Sequence, residues 1–468
     1  MSFPANFTWG AASSAYQIEG AWNTDGRGPS IWDTYCHAVP TEGGPGFNPV
    51  RQNVYQGHTG DTACDHYNRY KEDVAIMKSI GLKAYRFSIA WTRIFPEGAG
   101  ALNTKGLDFY DRLVNELLAS GITPFATLFH WDYPEALFRK GGWLNRESVK
   151  WFADYTQAVA DRLGDRVTNW MTLNEPQVFL QFGHADAHNA PGLRLPTREL
   201  LVACHHALMS HGTGVQVLRA RCKGPQSIGF APVCVTRYPA TDSTHDQQAA
   251  IEAMGSITER NLWNNTWYAD AIVRGHYPQD GLQIFGADAP KPLPGDMELI
   301  SQKIDFIGVN IYEGTPVRRG ENGKPAVVER HPTHPTTAFR WPVEPKSLHW
   351  GPRYTAERYK LPVYITENGM SGIDWVSMDG KVHDPQRIDF TRRYLLELRE
   401  AIRAGSDIRG YFHWSILDNF EWSQGYKERF GLVHVDYATQ KRTPKDSAAW
   451  YQKVIASNGK HLDTDPFV

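Results

Sequence analysis

The chain has 468 residues, with 49 basic and 51 acidic side chains and a formal net charge of −2. Because this balance lacks a basic excess, neither nucleic acid nor an anionic membrane is expected as a partner. No apolar run reaches the 18 residues of a transmembrane helix, and no signal peptide is visible, so a cytoplasmic location is expected.

The five cysteines are odd in number and contain no C-x-x-C pair, so reduced, mostly buried thiols are expected rather than a disulfide framework. No spaced cluster of His, Cys and Asp predicts a metal site, and no cofactor is expected. The 16 tryptophans are compatible with core packing, and also with sugar binding, since flat aromatic rings pack against pyranose rings.

Eight short runs rich in β-branched and aromatic residues, each bounded by turn signals, predict β-strands. In chain order they are Thr8–Ala12, Lys83–Ile89, Ile122–Phe129, Asn169–Asn174, Ser227–Val233, Asp305–Tyr312, Pro362–Glu367 and Ile408–Ser415.

Helical patterns lie between these runs, most clearly at Tyr70–Ile80, Gly106–Ser120, Val149–Leu163 and Asp389–Ala404. Repeated βα units predict a parallel sheet covered by helices, and eight units favour a closed (β/α)8 TIM barrel over an open doubly wound sheet. No linker divides the chain, so residues 1–468 are predicted to form a single TIM-barrel catalytic domain.

Three long segments are predicted to be connections. The Gly- and Pro-rich stretch Val39–Val50 is interpreted as a loop after the first strand. The stretches Cys234–Lys303 and Glu313–Leu361 are interpreted as long βα loops that shape the mouth of a pocket at the C-terminal face.

Polar or aromatic residues cluster where the predicted strands end, and the C-terminal face of such a barrel carries the catalytic residues. These residues are His130, Asn174, Glu175, Asn310, Tyr312, Glu367, Asn368 and Trp414. Two of them, Glu175 and Glu367, are carboxylates that directly follow or end a strand, each beside an asparagine. A lone example is most simply a surface glutamate, but two at the same end of different strands indicate an acid/base pair.

Such a pair suits glycoside cleavage, in which one carboxyl donates a proton to the leaving oxygen and the other acts on the anomeric carbon. Glu175 would then need a raised pKa to hold a proton near neutral pH. The hydrogen bonds that Asn174 can form with the sugar 2-hydroxyl would strengthen in the transition state.

At these residues the chain strongly resembles glycoside hydrolase family 1, the β-glucosidase family. Asn174-Glu175-Pro176 is similar to the family's acid/base motif, and Ile365-Thr366-Glu367-Asn368-Gly369 to its nucleophile motif. The resemblance extends over nearly the whole chain, through the runs at 7–20, 85–89, 128–132 and 414–422.

The resemblance implies a retaining β-glycosidase, with Glu175 as acid/base and Glu367 as nucleophile, whose carboxyls lie about 5–5.5 Å apart. It implies that Arg86, Tyr312 and Asn310 support the nucleophile, and that the cation and phenol lower the pKa of Glu367. It also implies a set of substrate-binding residues: Gln17, His130, Trp131, Asn174, Trp341, Trp414, Glu421, Trp422 and Phe430.

His130 and Trp341 each retain a purely structural interpretation, and His205 and His206 are interpreted as structural. Ile311 stands where the family often has the first of two tyrosines, while Tyr312 keeps the second. Glutamate rather than glutamine at position 175 argues against thioglucosidases, and Glu421 would repel a 6-phosphate.

The implied substrate is a small-molecule β-glucoside, either a cello-oligosaccharide or an aryl or alkyl β-glucoside, in keeping with a role in cellulose degradation. A broad β-glucosidase, β-galactosidase or β-fucosidase with transglycosylation is the alternative. A sugar-binding protein without catalysis is disfavoured because both carboxylates are present. The sequence leaves the oligomeric state and the aglycone open.

Overall fold

The computed structural model of the protein describes residues 2–38 and 53–464. Eight parallel strands close into a barrel in which each strand lies beside its neighbours in chain order, so the predicted (β/α)8 TIM barrel is confirmed. The barrel strands are β1 (Thr8–Ala12), β2 (Ala84–Ser88), β3 (Thr123–Phe129), β4 (Asn169–Asn174), β5 (Ser227–Ala231), β6 (Phe306–Asn310), β7 (Val363–Asn368) and β8 (Ile408–Trp414).

The predicted strand boundaries agree with the structure to within two residues. The strands β5 and β6 end two residues earlier than predicted, at Ala231 and Asn310. Beyond them Val233 makes only a single bridge to Asn310, as the chain leaves the barrel for long excursions. An apolar run can continue into such an excursion because its side chains remain buried after the ladder has ended.

Helices follow the strands and cover the outside of the barrel. They span Ala15–Ile18, Ile31–His37, His66–Ile80, Trp91–Ile94, Thr104–Ala119, Glu135–Phe138, Ser148–Leu163, Pro176–Leu180, Thr197–Arg221, Thr244–Gly255, Thr266–Arg274, Gln279–Phe285, Asp296–Ile300, Ser347–Tyr359, Pro385–Arg403 and Asp446–Ala456. Each of the four predicted helices is present, with boundaries that differ from the prediction by no more than four residues. Among the described residues, no helix is long and apolar enough to cross a membrane.

The two long segments after β5 and β6 are structured excursions. They contribute the strands Thr236–Pro239, Gly314–Arg319 and Pro325–Val327, which form a three-stranded sheet outside the barrel. A two-stranded antiparallel sheet, Val433–Val435 with Arg442–Pro444, follows β8. The predicted loop Val39–Val50 lies outside the described residues.

The inside of the barrel is filled by large rings set against very small residues. Phe125, Phe306 and Phe412 are buried there, together with Met171 and several alanines. A Cβ atom on Gly10 would lie 2.5 Å from the ring of Phe412, so the glycine makes room for that ring. Close packing of this kind leaves the barrel rigid, and side chains at its carboxyl-terminal rim are therefore held in defined positions.

A buried cluster of charges supports the segment that follows β8. Lys445 Nζ lies 2.7 Å from Asp418 Oδ1 and 2.5 Å from Asp374 Oδ2. Asp418 also accepts a hydrogen bond from the Gly431 amide and pairs with Arg429. The chain between Ser415 and Phe430 is thus attached to the body of the protein by buried ion pairs.

Replacing Lys445 by methionine should lower the melting temperature substantially, because two buried carboxylates lose their shared cation. Removing one partner of a buried ion pair costs about 3–5 kcal/mol, which corresponds to roughly 3–5 °C for a chain of this size. Scanning calorimetry at one scan rate measures the change, with exposed Lys441→Met as the matched control. A shift of Lys445→Met no larger than that of the control would contradict the supporting role of this cluster.

Candidate active site

A pocket of about 1160 Å³ opens at the carboxyl-terminal ends of the barrel strands. Most of the predicted site residues line it: His130, Trp131, Glu175, Asn310, Tyr312, Trp341, Glu367, Trp414, Glu421, Trp422 and Phe430. The other three, Gln17, Arg86 and Asn174, lie directly behind this wall and hydrogen-bond to residues in it. The barrel therefore brings the whole predicted set together.

Glu367 lies near the end of β7 and is held by two donors of different kinds. Arg86 Nη1 donates to its Oε1 at 2.5 Å, and the Tyr312 hydroxyl donates to its Oε2 at 2.8 Å. The carboxyl is 3 % exposed. Both of its oxygens are thus fixed in orientation while the residue still lines the pocket.

Glu175 directly follows β4 and has a left-handed backbone conformation, with φ of 46°. Its amide donates to the Ala231 carbonyl at 2.8 Å, and Pro176 begins the next helix. Its Oε1 accepts from Asn310 Nδ2 at 2.8 Å. Positive φ is uncommon outside glycine and persists where surrounding contacts enforce it, often at functional sites. Trp131 and Trp422, which also line the pocket, share this feature.

Asn174 joins the two carboxyls into one network. Its Oδ1 accepts from Arg86 Nη2 at 2.6 Å and from Asn310 Nδ2 at 3.0 Å. Since that oxygen is occupied by donors, its amide nitrogen faces His130, whose Nε2 lies 3.0 Å away. The amide orientations in this network are determined by their partners, which leaves little rotational freedom in the site.

Burial raises the pKa of Glu175 well above its ordinary value, and the nearby charge of Glu367 raises it further. Burial also raises the pKa of Glu367, although Arg86, Tyr312 and Asn310 act to lower it. The prediction of a lowered pKa for Glu367 is therefore wrong in its net direction, because desolvation outweighs the cation and the donors. Of the two carboxyls, Arg86 and Tyr312 donate to Glu367 and not to Glu175, so they favour the ionised form of Glu367 and leave Glu175 as the group that more readily holds a proton.

Aromatic rings and a third carboxyl, that of Glu421, form the other side of the pocket's inner end. His130 lies parallel to Trp414 and Trp422, at centroid distances of 5.9 and 6.1 Å. Burial, and secondarily the charge of Arg86, lower the pKa of His130 well below its ordinary value, so its ring is neutral. Since Nε2 accepts from Asn174, Nδ1 carries the proton, and this buried atom has no partner among the described residues.

Gln17 Nε2 lies 3.2 Å from Glu421 Oε2 and also donates to Asn419 Oδ1 and the Phe420 carbonyl. Burial, and then the charge of Glu367, raise the pKa of Glu421 to about 8. Glu421 opens onto the pocket, and so the inner end holds three carboxyls with raised pKa values. Such clustered perturbation is typical of functional sites.

Trp341 lies 5.1 Å from Tyr312 and 5.9 Å from Phe430, measured between ring centroids. Phe339 stacks on Trp341 at 4.4 Å and also lines the pocket, although the sequence did not single it out. Phe339 stands two residues before Trp341 in the sequence, so its closeness to a predicted site residue could have identified it as a pocket residue. Phe182 and Trp263, which stack at 5.1 Å on the pocket wall, lie far apart in the chain and left no such signal.

All five cysteines are free thiols, and three of them are buried. Within the part of the chain that the structure describes, no group of three or more His, Cys, Asp or Glu side chains could hold a metal ion. His205 hydrogen-bonds to Tyr277 and Asp296 away from the pocket, and His206 to the Trp143 carbonyl.

The model of glycosyl hydrolase family 1 matches residues 1–460. A β-glucosidase A from Thermotoga maritima is 45% identical over 463 residues, covering 98% of both chains, and a β-glucosidase A from Acetivibrio thermocellus is 43% identical over 98% of this chain and 99% of its own. The solved structure of a Thermotoga maritima β-glucosidase in complex with glucoimidazole superposes with a TM-score of 0.87 at 44% identity, over 98% of this chain and 99% of that one.

The chain belongs to glycosyl hydrolase family 1. The resemblance expected from the motifs is therefore confirmed, and with it the assignment to the retaining glycoside hydrolases. The family assignment explains why two buried carboxyls with unlike partners face one pocket at the carboxyl-terminal rim of a barrel.

The raised pKa of Glu421 predicts a stability effect that depends on pH. Its folded-state pKa of about 8 lies above the value near 4.3 that it has in the unfolded chain. Between these two pH values the folded state therefore binds more protons than the unfolded state, and the stability of the fold falls as the pH rises through this window. Glu421→Gln keeps an oxygen acceptor for Gln17 but cannot ionise. Its melting temperature should exceed that of the parent by about 3 °C at pH 9, with the difference vanishing near pH 4.5.

Differential scanning fluorimetry from pH 4.5 to 9 measures this difference. Exposed Glu400→Gln, whose carboxyl pairs with Arg403 on the protein surface, serves as the control and should show no comparable trend. A difference between Glu421→Gln and the parent that stays constant across the pH range would show that Glu421 has an ordinary pKa.

Proposed function

We propose that this protein is a retaining β-glucosidase that removes terminal, non-reducing β-D-glucosyl residues from cello-oligosaccharides or from aryl and alkyl β-glucosides. Relatives with 43–45% identity over nearly the full chain carry the names β-glucosidase and 1,4-β-D-glucan glucohydrolase. Related solved structures are complexes with glucoimidazole and deoxynojirimycin. A role in cellulose degradation follows from the same names.

The observation that carries the proposal is the unlike environment of two neighbouring buried carboxyls. Glu367 accepts hydrogen bonds from a guanidinium and a phenol, both of which favour its ionised form. Glu175 has only the neutral amide of Asn310 and retains a proton. One carboxylate and one carboxylic acid facing one pocket are the two groups that a double displacement requires.

In the first step, Glu175 gives its proton to the glycosidic oxygen while Glu367 attacks the anomeric carbon, and the aglycone leaves as an alcohol. The product is a glycosyl ester of Glu367. In the second step, Glu175, now ionised, takes a proton from water as the water oxygen attacks the same carbon and the ester bond breaks. Two inversions return the β configuration. We expect a separation of about 5–5.5 Å between the carboxyls, as this mechanism requires.

The glucosyl ring would lie at the inner end of the pocket. Trp414 would form the platform beneath it, while Gln17, His130, Asn174, Glu421 and Trp422 would bind its hydroxyls. His130 supports this placement because its ring lines the pocket and lies parallel to that of Trp414. Trp131, whose indole donates to the Asn174 carbonyl, would hold this wall in place. Phe430 would lie near the 6-hydroxymethyl group and Trp341 on the aglycone side.

Two features narrow the substrate. Glu421 places a carboxyl where a 6-phosphate would need a cation, which favours an unphosphorylated sugar. Glutamate at 175 supplies the acid/base that a poorly activated alcohol leaving group needs. Glucosides and galactosides differ only in the configuration at one hydroxyl, so a broader β-glycosidase remains the alternative. Transglycosylation would result if a sugar acceptor replaced water in the second step.

Two further proposals concern the chain as a whole. We propose a single catalytic domain over residues 1–468, because strands from Thr8 to Trp414 contribute to the same barrel and the family model spans residues 1–460. We also propose a cytoplasmic location, which the five unpaired thiols support.

The decisive experiment compares kcat/KM for an aryl β-glucoside and an aryl β-galactoside, with Glu367→Ala as the blank. A high glucoside-to-galactoside ratio is expected, together with a loss of at least about 1,000-fold in the variant, since the variant lacks the nucleophile. A ratio near one would support the broad β-glycosidase instead. Turnover of neither sugar would refute the proposed function.

Tyr312→Phe tests the support given to the nucleophile. Loss of the phenol donor should raise the pKa of Glu367 further, so the acid limb of the kcat/KM profile should move to higher pH. The rate at the optimum should fall by about 10-fold or more, because a hydrogen bond to a charged group is lost. Tyr364→Phe, three residues before Glu367 on β7, is the matched control. An unmoved acid limb would remove Tyr312 from this role.

A further inference from the structure

The outer part of the pocket has a chemical character that differs from its inner end. We define the outer wall as Phe182, Trp263, Arg237 and Thr315, all of which line the same pocket as the two catalytic candidates. The rings of Phe182 and Trp263 are parallel to within 19°, with centroids 5.1 Å apart. Both are only half-buried, so they offer flat apolar surface toward the pocket.

Arg237 is a half-buried cation in this wall. It lies on the strand Thr236–Pro239, directly beside Thr315 on the adjacent strand, and its Nη1 donates to Thr315 Oγ1 at 2.6 Å. Across residues 2–38 and 53–464, no carboxylate lies within 4.0 Å of its guanidinium. Most other half-buried or buried arginines of this protein, such as Arg86, Arg93 and Arg387, form such a pair.

The position of Arg237 relative to the chemistry follows from the strand pairing. Thr315 comes three residues after Tyr312, which donates to Glu367. Three residues of extended chain span at most about 10 Å, so Thr315, which accepts from the guanidinium, lies close along the chain to the residue that contacts Glu367. Arg237 and Glu367 also line the same pocket, so the aglycone of a glucoside bound at Glu367 shares that pocket with the guanidinium.

The incomplete pairing of Arg237 has an energetic consequence. Arg237 lines the pocket, and burial lowers its pKa, while the charges of Glu313 and Glu259 act against that fall. A carboxylate that entered this region would receive charge-assisted hydrogen bonds from a guanidinium whose fork geometry suits carboxylates. Aromatic surface beside it would favour a planar group attached to that carboxylate.

We propose that Arg237 is a specificity-determining residue that selects aryl β-glucosides whose aglycone carries a carboxylate, such as glucosides of phenolic acids. This inference rests on the proposed β-glucosidase function and adds the class of aglycone. The aromatic ring of the leaving group lies against Phe182 and Trp263, and its carboxylate faces Arg237. Exposed Arg194, which also lines the pocket, adds positive charge at the rim.

Glu313 is an acidic residue of the pocket lining whose charge acts on Arg237, and it opposes this selection. It lies, however, beyond ion-pair distance of the guanidinium. Burial raises the pKa of its carboxyl, with the charges of Arg330 and Arg237 acting against that rise. Removing this carboxylate should therefore strengthen the preference for an acidic aglycone.

The test measures kcat/KM at pH 7 for 4-carboxyphenyl β-D-glucoside and for its neutral methyl ester, and takes the ratio of the two values. Arg237→Gln should lower this acid-to-ester ratio about 10-fold relative to the parent, as expected for loss of one partly solvated charge-assisted contact. Arg237→Lys should retain an intermediate ratio. Glu313→Gln should raise the ratio about twofold, and 0.5 M salt should lower the parent's ratio but leave that of Arg237→Gln unchanged.

Arg318→Gln, at an exposed position on the neighbouring strand outside the pocket, is the matched control and should keep the parent's ratio. Because the ratio cancels any uniform loss of activity, it reports aglycone selection even where a variant is less active overall. If the acid-to-ester ratio of Arg237→Gln stays within twofold of the parent's ratio, the inference is overturned. Continued turnover of the ester in that case leaves the β-glucosidase proposal intact. Failure of the parent to cleave either glucoside would instead refute the proposed function.

Discussion

The site depends on one buried cation. Arg86 is 1% exposed, and its guanidinium reaches Glu367 on β7 through Nη1 and Asn174 on β4 through Nη2. A buried charge is tolerated only where hydrogen bonds and an opposite charge replace its lost hydration. The ends of three separate strands must therefore be in register for Arg86 to be stable, and that same register brings Glu367 and Glu175 to a single pocket.

The closed barrel provides this register. Its strands are all parallel, so their carboxyl-terminal ends meet at one rim, and its interior is filled by rings such as Phe412 against Gly10. Because neighbouring strands are connected all the way round, no edge can shift independently of the others. This packing holds the side chains of the site in fixed positions. The hydrogen bond from the Glu175 amide to the Ala231 carbonyl helps to maintain the left-handed backbone at Glu175.

The two ends of the pocket are assembled by different parts of the chain. The inner end comes from the ends of barrel strands and from the segment after β8, which buried ion pairs around Asp418 attach to the body. The outer wall comes from the segment after β4, which carries Phe182, and from the excursions after β5 and β6, which build a small sheet of their own. The proposed contacts to the aglycone therefore lie mainly on segments other than the strand ends that carry the two carboxyls.

The sequence by itself predicted the barrel and both carboxylates, because short local patterns at strand ends carry that information, and its resemblance to a known family predicted the members of the inner pocket. The tertiary structure alone decided three other features. Burial, which is a property of the folded surroundings, made the pKa of Glu367 rise although its cation and donors act to lower it. The pairing of Phe182 with Trp263 and the unpaired guanidinium of Arg237 depend on contacts between segments far apart in the chain. Periodicity and local motifs report only on neighbours in sequence, so such contacts appear only once the chain has closed on itself.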